Sequence, residues 1–353
     1  DYYLIVTLFY FIIKFTRISE FGVYLTAIIF SILSIYYFIK FFEVDKISEK
    51  KIIFYYNLAF SIFSVLIKFS TGPIIFLTIY LFIKNFKEFK FYIFGYRFLI
   101  IYFFIVIFLI QQFIYTGCLF FPSSLTCLDV TWFNADYIHL SKQLELTNKS
   151  YSIAKNAYQP KEYLENFNWF SYWLKRNYVE ISEHLITILL PSIIFILFLK
   201  KKASLILSIK EKKIIYFFLL INLFFWLNFS PVYRFGVHLF VTLSFIVLLD
   251  LFNSRNFSKK ILIIFISIFL VFNFSKNLKR IFESPEIFLG IQKMNNKYLL
   301  NELSSNEYAK VYIPHIKKNK KNGWQGRLCW DIPFICSYNK IKIDKKYGYL
   351  IIN

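Results

Sequence analysis

The chain has no H-E-x-x-H, no P-loop, no G-x-S-x-G and no dinucleotide fingerprint. Zincin, ATP-driven, α/β-hydrolase and nicotinamide chemistries of the usual form therefore have no footing. Acidic residues are scarce, 21 against 42 basic ones, and none lies in the middle of an apolar run, where ion-coupled transporters hold their coupling ions. No internal repeat, heptad array or low-complexity tract is present. Cysteine is limited to four residues, and their spacing matches neither a zinc C-x2–4-C nor a redox C-x-x-C pattern. There is no initiating Met and no signal peptide. Asp1 leads straight into an apolar run, so further helices and an external loop are expected upstream.

What is present is apolar. Hydrophobic residues make up 58% of the 353, more than a soluble domain carries. Apolar runs fall at roughly 2–14, 21–41, 52–67, 71–84, 97–115, 184–199, 214–229, 234–250 and 261–275. A membrane helix needs about 20 apolar residues, and several of these are short. The expected fold is an all-α polytopic membrane protein of about 8–9 membrane helices or half-helices. Its parts are N-terminal membrane helices (1–115), a helical external loop (116–183), C-terminal membrane helices (184–275) and a small mixed or β-rich tail (276–353). The net charge of +21 sits in lysine clusters between the runs, which is a topology signal and not a nucleic-acid surface.

One set of short loops carries 16 Lys and Arg, from Lys46 through Lys260; the alternate loops carry only Lys14, Arg17, Lys68 and Arg234. The rich set is read as cytoplasmic. Both long segments then fall outside, although Lys276, Lys279 and Arg280 follow the last run on that side. The cysteines agree: Cys118 with Cys127, and Cys329 with Cys336, are each close in sequence with a Pro between them. Local disulfides in an oxidising compartment are the natural reading, each worth about 2–3 kcal/mol.

Candidate functional residues gather at the outer ends of the runs. In NFSPVYRFGVH, Arg234 follows a Pro-marked break, and His238 lies four residues on, at one-face spacing for a helix. Lys68 comes at the same depth in LIKFSTGP, and Gln111 and Gln112 end their run nearby. Two cations on one rim suit a phosphate. Glu20, Asp129, Asp136 and Glu183 are the external carboxylates available as a base, with none set apart by a partner. Between Pro160 and Arg176 a helix is expected to lie in the headgroup layer, presenting Trp169 and Trp173 to lipid.

The strings TGCLFFPSSLTC, IKFSTGP, SPVYRFG and CWDIPFIC resemble a group of uncharacterised bacterial polytopic membrane proteins, similar in general plan to the GT-C membrane glycosyltransferases. The resemblance spans most of the chain in short islands. It implies transfer of a sugar from a polyprenyl-phosphate donor at the periplasmic face of the bacterial inner membrane, in cell-envelope glycan assembly. Arg234, Lys68 and His238 would hold the donor phosphate. Such enzymes place an acidic base or metal ligand in the first external loop, expected here before Asp1. No cofactor is identified from the residues, although a divalent metal fits that chemistry. The absence of nucleotide motifs suits a donor activated elsewhere. The expected partners are the bilayer and the lipid-linked sugar. Other readings are an O-antigen-type polymerase, for which Arg176 alone is thin support, and a non-enzymatic transport or assembly protein.

Overall fold

The computed structural model describes residues 1–14, 24–199 except 122, 132, 134 and 135, 208–253 except 230, and 259–283; beyond 299 it describes only short strands. For residues 136–141, 250, 252–253, 280–281 and 283 and for the strands, only the backbone is described. The chain forms two units, Asp1–Ser275 and Lys276–Asn353.

The first unit is helical: α1 (Tyr2–Lys14), α2 (Tyr24–Phe41), α3 (Ile47–Ile67), α4 (Ile75–Lys84), α5 (Phe86–Phe89), α6 (Leu99–Thr116), α7 (Asp136–Asn148), α8 (Tyr151–Ala154), α9 (Pro160–Leu164), α10 (Asn168–Leu197), α11 (Ile209–Phe229), α12 (Val237–Asn253) and α13 (Lys259–Glu283), which runs on into the second unit. Among the described residues, six helical stretches are long and apolar enough to cross a membrane: α2, α3, Tyr96–Thr116, Pro160–Leu197, α11 and Lys259–Lys279. The stretches Phe69–Lys84 and Phe86–Phe94 meet at 96° and together make a seventh, broken candidate. Helices α1 and the apolar part of α12 are shorter. The multi-pass architecture is thus as the hydropathy predicts. Within it, six runs among the described residues reach full span length.

Helix α1 owes its place to packing and not to length. Tyr3, Val6, Phe9 and Tyr10 are buried, Phe9 meets Phe195 and Phe269 edge-on at 5.4 and 5.3 Å, and the Tyr3 hydroxyl lies 3.1 Å from Thr242 Oγ1. It is enclosed by α10, α12 and α13. In contrast, α6 and α13 keep large apolar side chains outward along most of their length, as helices bordering lipid do.

A buried polar seam joins α2, α3 and α4. Ser31 bonds Ser64 and Ser34 bonds Ser61, each at 2.7 Å. Asn57 donates from Nδ2 to the Ser34 carbonyl and Oγ, and its Oδ1 accepts from Thr78. Thr78 also meets Ser61, and Ser64 meets Thr71. Between apolar helices, where lipid tails solvate Leu and Ile as well as protein does, small hydroxyl residues supply close approach and hydrogen bonds.

The segment that follows α6 departs from expectation at one point. The interfacial helix over 160–176 and the span beginning near His184 are not separate. Helix α9 ends at Leu164, the backbone turns through positive φ at Asn166 and Phe167 (50° and 58°), and α10 then runs unbroken for 30 residues. At 1.5 Å per residue that is about 45 Å, so its first turns stand clear of a hydrocarbon layer of about 30 Å. The polar stretch Lys175–Glu183 is an internal part of the same helix. The boundary at 183 and 184 falls inside it.

Before this segment, Gly117 (φ 73°) terminates α6, its N–H bonding the Phe113 carbonyl. Phe133 and Val130 approach to 3.0 Å of where a Cβ would stand. The disulfide Cys118–Cys127 closes the hairpin that follows. In the second unit, Leu300–Ser305 pairs with Lys310–Pro314 and that with Ile335–Cys336, while Lys317–Lys318 pairs with Gln325–Gly326 and Ile343–Lys346 with Tyr349–Ile352. These are three separate backbone ladders and not one sheet. The small mixed or β-rich domain expected for the tail is not supported as a fold. Cys329 lies outside the described residues, and with it the expected bond to Cys336.

Candidate functional site

Two turns build the site. Helix α3 ends as the Lys68 N–H bonds the Ser64 carbonyl, and Lys68 itself is extended (φ −145°). Its carbonyl accepts from both the N–H and the hydroxyl of Thr71, which folds Phe69–Ile74 into a 3-10 turn ahead of α4. The second turn, Tyr233–Phe235, links α11 to α12. It is held from beneath by two indoles: Trp173 donates to the Pro231 carbonyl and Trp226 to the Val232 carbonyl. Gly236 lies so close to the Trp226 ring that a Cβ would come within 3.1 Å of two of its atoms.

The clamped turn aims Tyr233 at His184, and Arg234 and Phe235 at Tyr24. Tyr233 packs on His184 at 4.6 Å between ring centres, and His184 Nδ1 lies 2.8 Å from the Tyr10 hydroxyl. Phe235 packs on Tyr24 at 4.4 Å. Lys68 Nζ reaches both of those rings, 3.3 Å from the centre of Phe235 and 3.5 Å from that of Tyr24. The Arg234 guanidinium stands over the same pair at 5.1 and 5.9 Å. The structure therefore brings Lys68 and Arg234 together from α3 and the α11–α12 turn, far apart in sequence.

Among the described residues no carboxylate is paired with either cation. Arg234 is exposed and Lys68 half-buried. Burial, and then the Arg234 charge beside it, push the Lys68 amine from 10.5 down to about 7. The ring faces offset part of the repulsion between two like charges; an anion seated between them would relieve the rest. The guanidinium offers a planar fork and the ammonium a point charge, a combination suited to phosphate oxygens.

His238 does not join them. Because α12 begins only at Val237, Arg234 lies in the preceding turn and the four-residue spacing no longer sets one face. His238 is 2% exposed and faces the interior, its Nε2 3.4 Å from Asn222 Nδ2. Its expected contact with donor phosphate is corrected to a core position. Trp169 and Trp173 are likewise not lipid-facing. They are 2% and 3% exposed, spent on Lys149, Trp226 and Pro231, while Phe167, Phe170 and Leu174 remain outward.

Of the four carboxylates that the sequence offers as a base, Glu183 is engaged by Lys14 and Asp129 is exposed in its loop. Glu20 and the Asp136 side chain lie outside the described residues. Gln111 is exposed on α6 and Gln112 half-buried, its carbonyl accepting from Thr116. No group of three or more His, Cys, Asp or Glu stands at metal-holding distance among the described residues.

Chain segments meet in two groups. One holds Lys14 with Glu183, Lys68 with Arg234, and Trp173 with Pro231; the other holds Lys84 with Glu211 (3.3 Å).

Residues 1–241 match the family model described as Domain of unknown function (DUF8201). The chain belongs to the DUF8201 family. The matched region encloses Lys68, the clamped turn with Arg234, both tryptophans and the Cys118–Cys127 hairpin. Helix α13 and the tail, with Cys329 and Cys336, lie beyond it. No protein of curated function and no solved structure matches this DUF8201 member.

Proposed function

We propose that the protein is a membrane glycosyltransferase of GT-C-like plan, moving a sugar from a polyprenyl-phosphate donor onto a cell-surface glycan at the periplasmic face of a bacterial inner membrane. The observation that carries the reading is the pair Lys68 and Arg234, two cations without a carboxylate partner among the described residues, seated over the rings of Tyr24 and Phe235. In this reading the donor's phosphodiester bridges the two cations, which stabilise the prenyl phosphate as the sugar leaves. The aromatic rings beneath them fit the first isoprene units. The acceptor hydroxyl would be deprotonated by a carboxylate of the external face; Glu183 is held nearby in sequence to His184 but is tied to Lys14, so the base stays unassigned.

The test is transfer by the full-length protein in proteoliposomes, supplied with a set of polyprenyl-phosphate sugars. Wild type is expected to transfer sugar, and Arg234→Ala and Lys68→Ala to lose about 100-fold in rate, the scale of one lost donor to a developing anion. Folded wild type that transfers from none of the donors, or an Arg234→Ala protein as active as wild type, would sink the reading.

A further inference from the structure

A second site stands apart from the two cations, in the outer segment. A cavity of about 600 Å³ opens between α7, the α9–α10 turn and the end of α11. Its polar wall is the ion pair between Glu145 of α7 and Lys149 just past the end of that helix (2.6 Å), with Lys149 only 4% exposed and its ammonium 4.9 Å from the centre of the Trp169 ring. Two carboxamides, Asn166 and Asn228, line it from opposite sides. The Asn228 amide nitrogen is fixed on the Phe224 carbonyl at 2.8 Å, which orients the group. The remaining wall is aromatic apart from Leu164, and Phe224 and Phe229 continue from it onto the exposed face of α11, at 58% and 59% exposure.

The backbone around this cavity is unusual. The positive-φ non-glycine residues described in the chain are Ser150, Asn166 and Phe167, and all three border this segment. The Tyr163 hydroxyl pins the Lys149 carbonyl beside the first of them. Left-handed backbone at non-glycine residues costs free energy and persists where the surroundings enforce it, often at binding sites.

The chemistry of the walls selects the ligand. Because Lys149 is neutralised by Glu145, the cavity carries no net charge to draw a phosphate. It presents a carboxylate acceptor, an ammonium donor and two amides that do both, matched to groups that donate and accept at once. Hydroxyls do so. Aromatic walls with a few placed polar groups are how ligand sites are generally lined, and the apolar C–H faces of a sugar pack on such rings. The opening along Phe224 and Phe229 would take an alkyl chain. We infer that this cleft binds the neutral saccharide head of a glycolipid entering sideways from the bilayer. The inference does not require the transfer reaction.

The test uses the full chain in lipid nanodiscs and hexyl glycosides of glucose, galactose and N-acetylglucosamine as probes, read by saturation-transfer NMR on the sugar ring protons. At least one glycoside is expected to bind saturably, with hexyl phosphocholine and hexanol failing to displace it. Asn166→Gly removes the carboxamide while suiting the left-handed backbone, so it should keep the thermal midpoint and weaken glycoside binding at least fivefold; Asn228→Leu should weaken it similarly. No glycoside signal above empty nanodiscs, equal displacement by hexyl phosphocholine, or unchanged binding in both variants would overturn the inference. Binding is read without any donor, so these outcomes leave the transfer proposal untouched, and a failed transfer assay leaves this one untouched.

Discussion

Lys68 is the residue on which charge, burial and position converge. Its amine, lowered to about 7 by burial and by Arg234, holds its proton mainly below that pH. An anion needs the ammonium form, so affinity for a prenyl-phosphate sugar diester, whose own charge is constant, should fall as pH rises from 6 to 9. The slope above pH 7 should approach at most about tenfold per pH unit. Lys68→Arg, which stays charged throughout, should flatten the profile; a wild-type affinity independent of pH would refute the coupling. For the free protein the sign is opposite: between about 7 and 10.5 the unfolded chain holds a proton that the folded chain sheds, so stability rises with pH across that window. Lys68 and Arg234 were visible in the sequence because a cation beside an apolar run stands out. Tyr24 and Phe235, which complete the site, were not, since among 27 Tyr and 47 Phe no single ring announces a role.

Between elements, the seam of Asn57, Ser34, Ser61 and Thr78 holds α2, α3 and α4 in register. Truncation at Asn57 removes the hub: Asn57→Ala takes away the acceptor of the Thr78 hydroxyl and the amide donor to the Ser34 carbonyl, leaving Thr78 with Ser61. The expected loss is about 1–2 kcal/mol, seen as a thermal midpoint lowered by roughly 2–6 °C in detergent; no measurable shift would mean the hydroxyls re-pair among themselves. The spans were legible because hydropathy depends on composition alone. Helix phase was not. A reading that starts the last helices at residue 234 puts Arg234 and His238 on one face, whereas the 3-10 turn through Phe235 resets the count and sends His238 inward. The union of the 160–176 segment with the following span was hidden for a related reason. Lys175–Glu183 is polar enough to resemble a loop, yet it has neither Gly nor Pro, and nothing in it ends a helix.

At the scale of the whole molecule, sidedness is the property most open to direct measurement. In intact spheroplasts, a membrane-impermeant maleimide should leave Cys118 and Cys127 untouched until a reductant is added, and then label them without permeabilisation. Labelling that requires permeabilised membranes would invert the topology and remove the periplasmic reading. The lysine distribution made this prediction accessible from sequence, whereas the cleft at Lys149 was not, because it is assembled from three segments brought together only by the turn at Asn166 and Phe167. That turn feeds α10, and α10 passes from Trp169 to Ile188 with no residue able to act as a hinge. Its outer and inner halves therefore share one helical phase, like two gears on a single shaft. A rotation of the stretch before Pro191, where His184 meets Tyr10 of α1, must turn Trp169 and Trp173 through the same angle, moving the wall of the cleft and the clamp under Arg234 together.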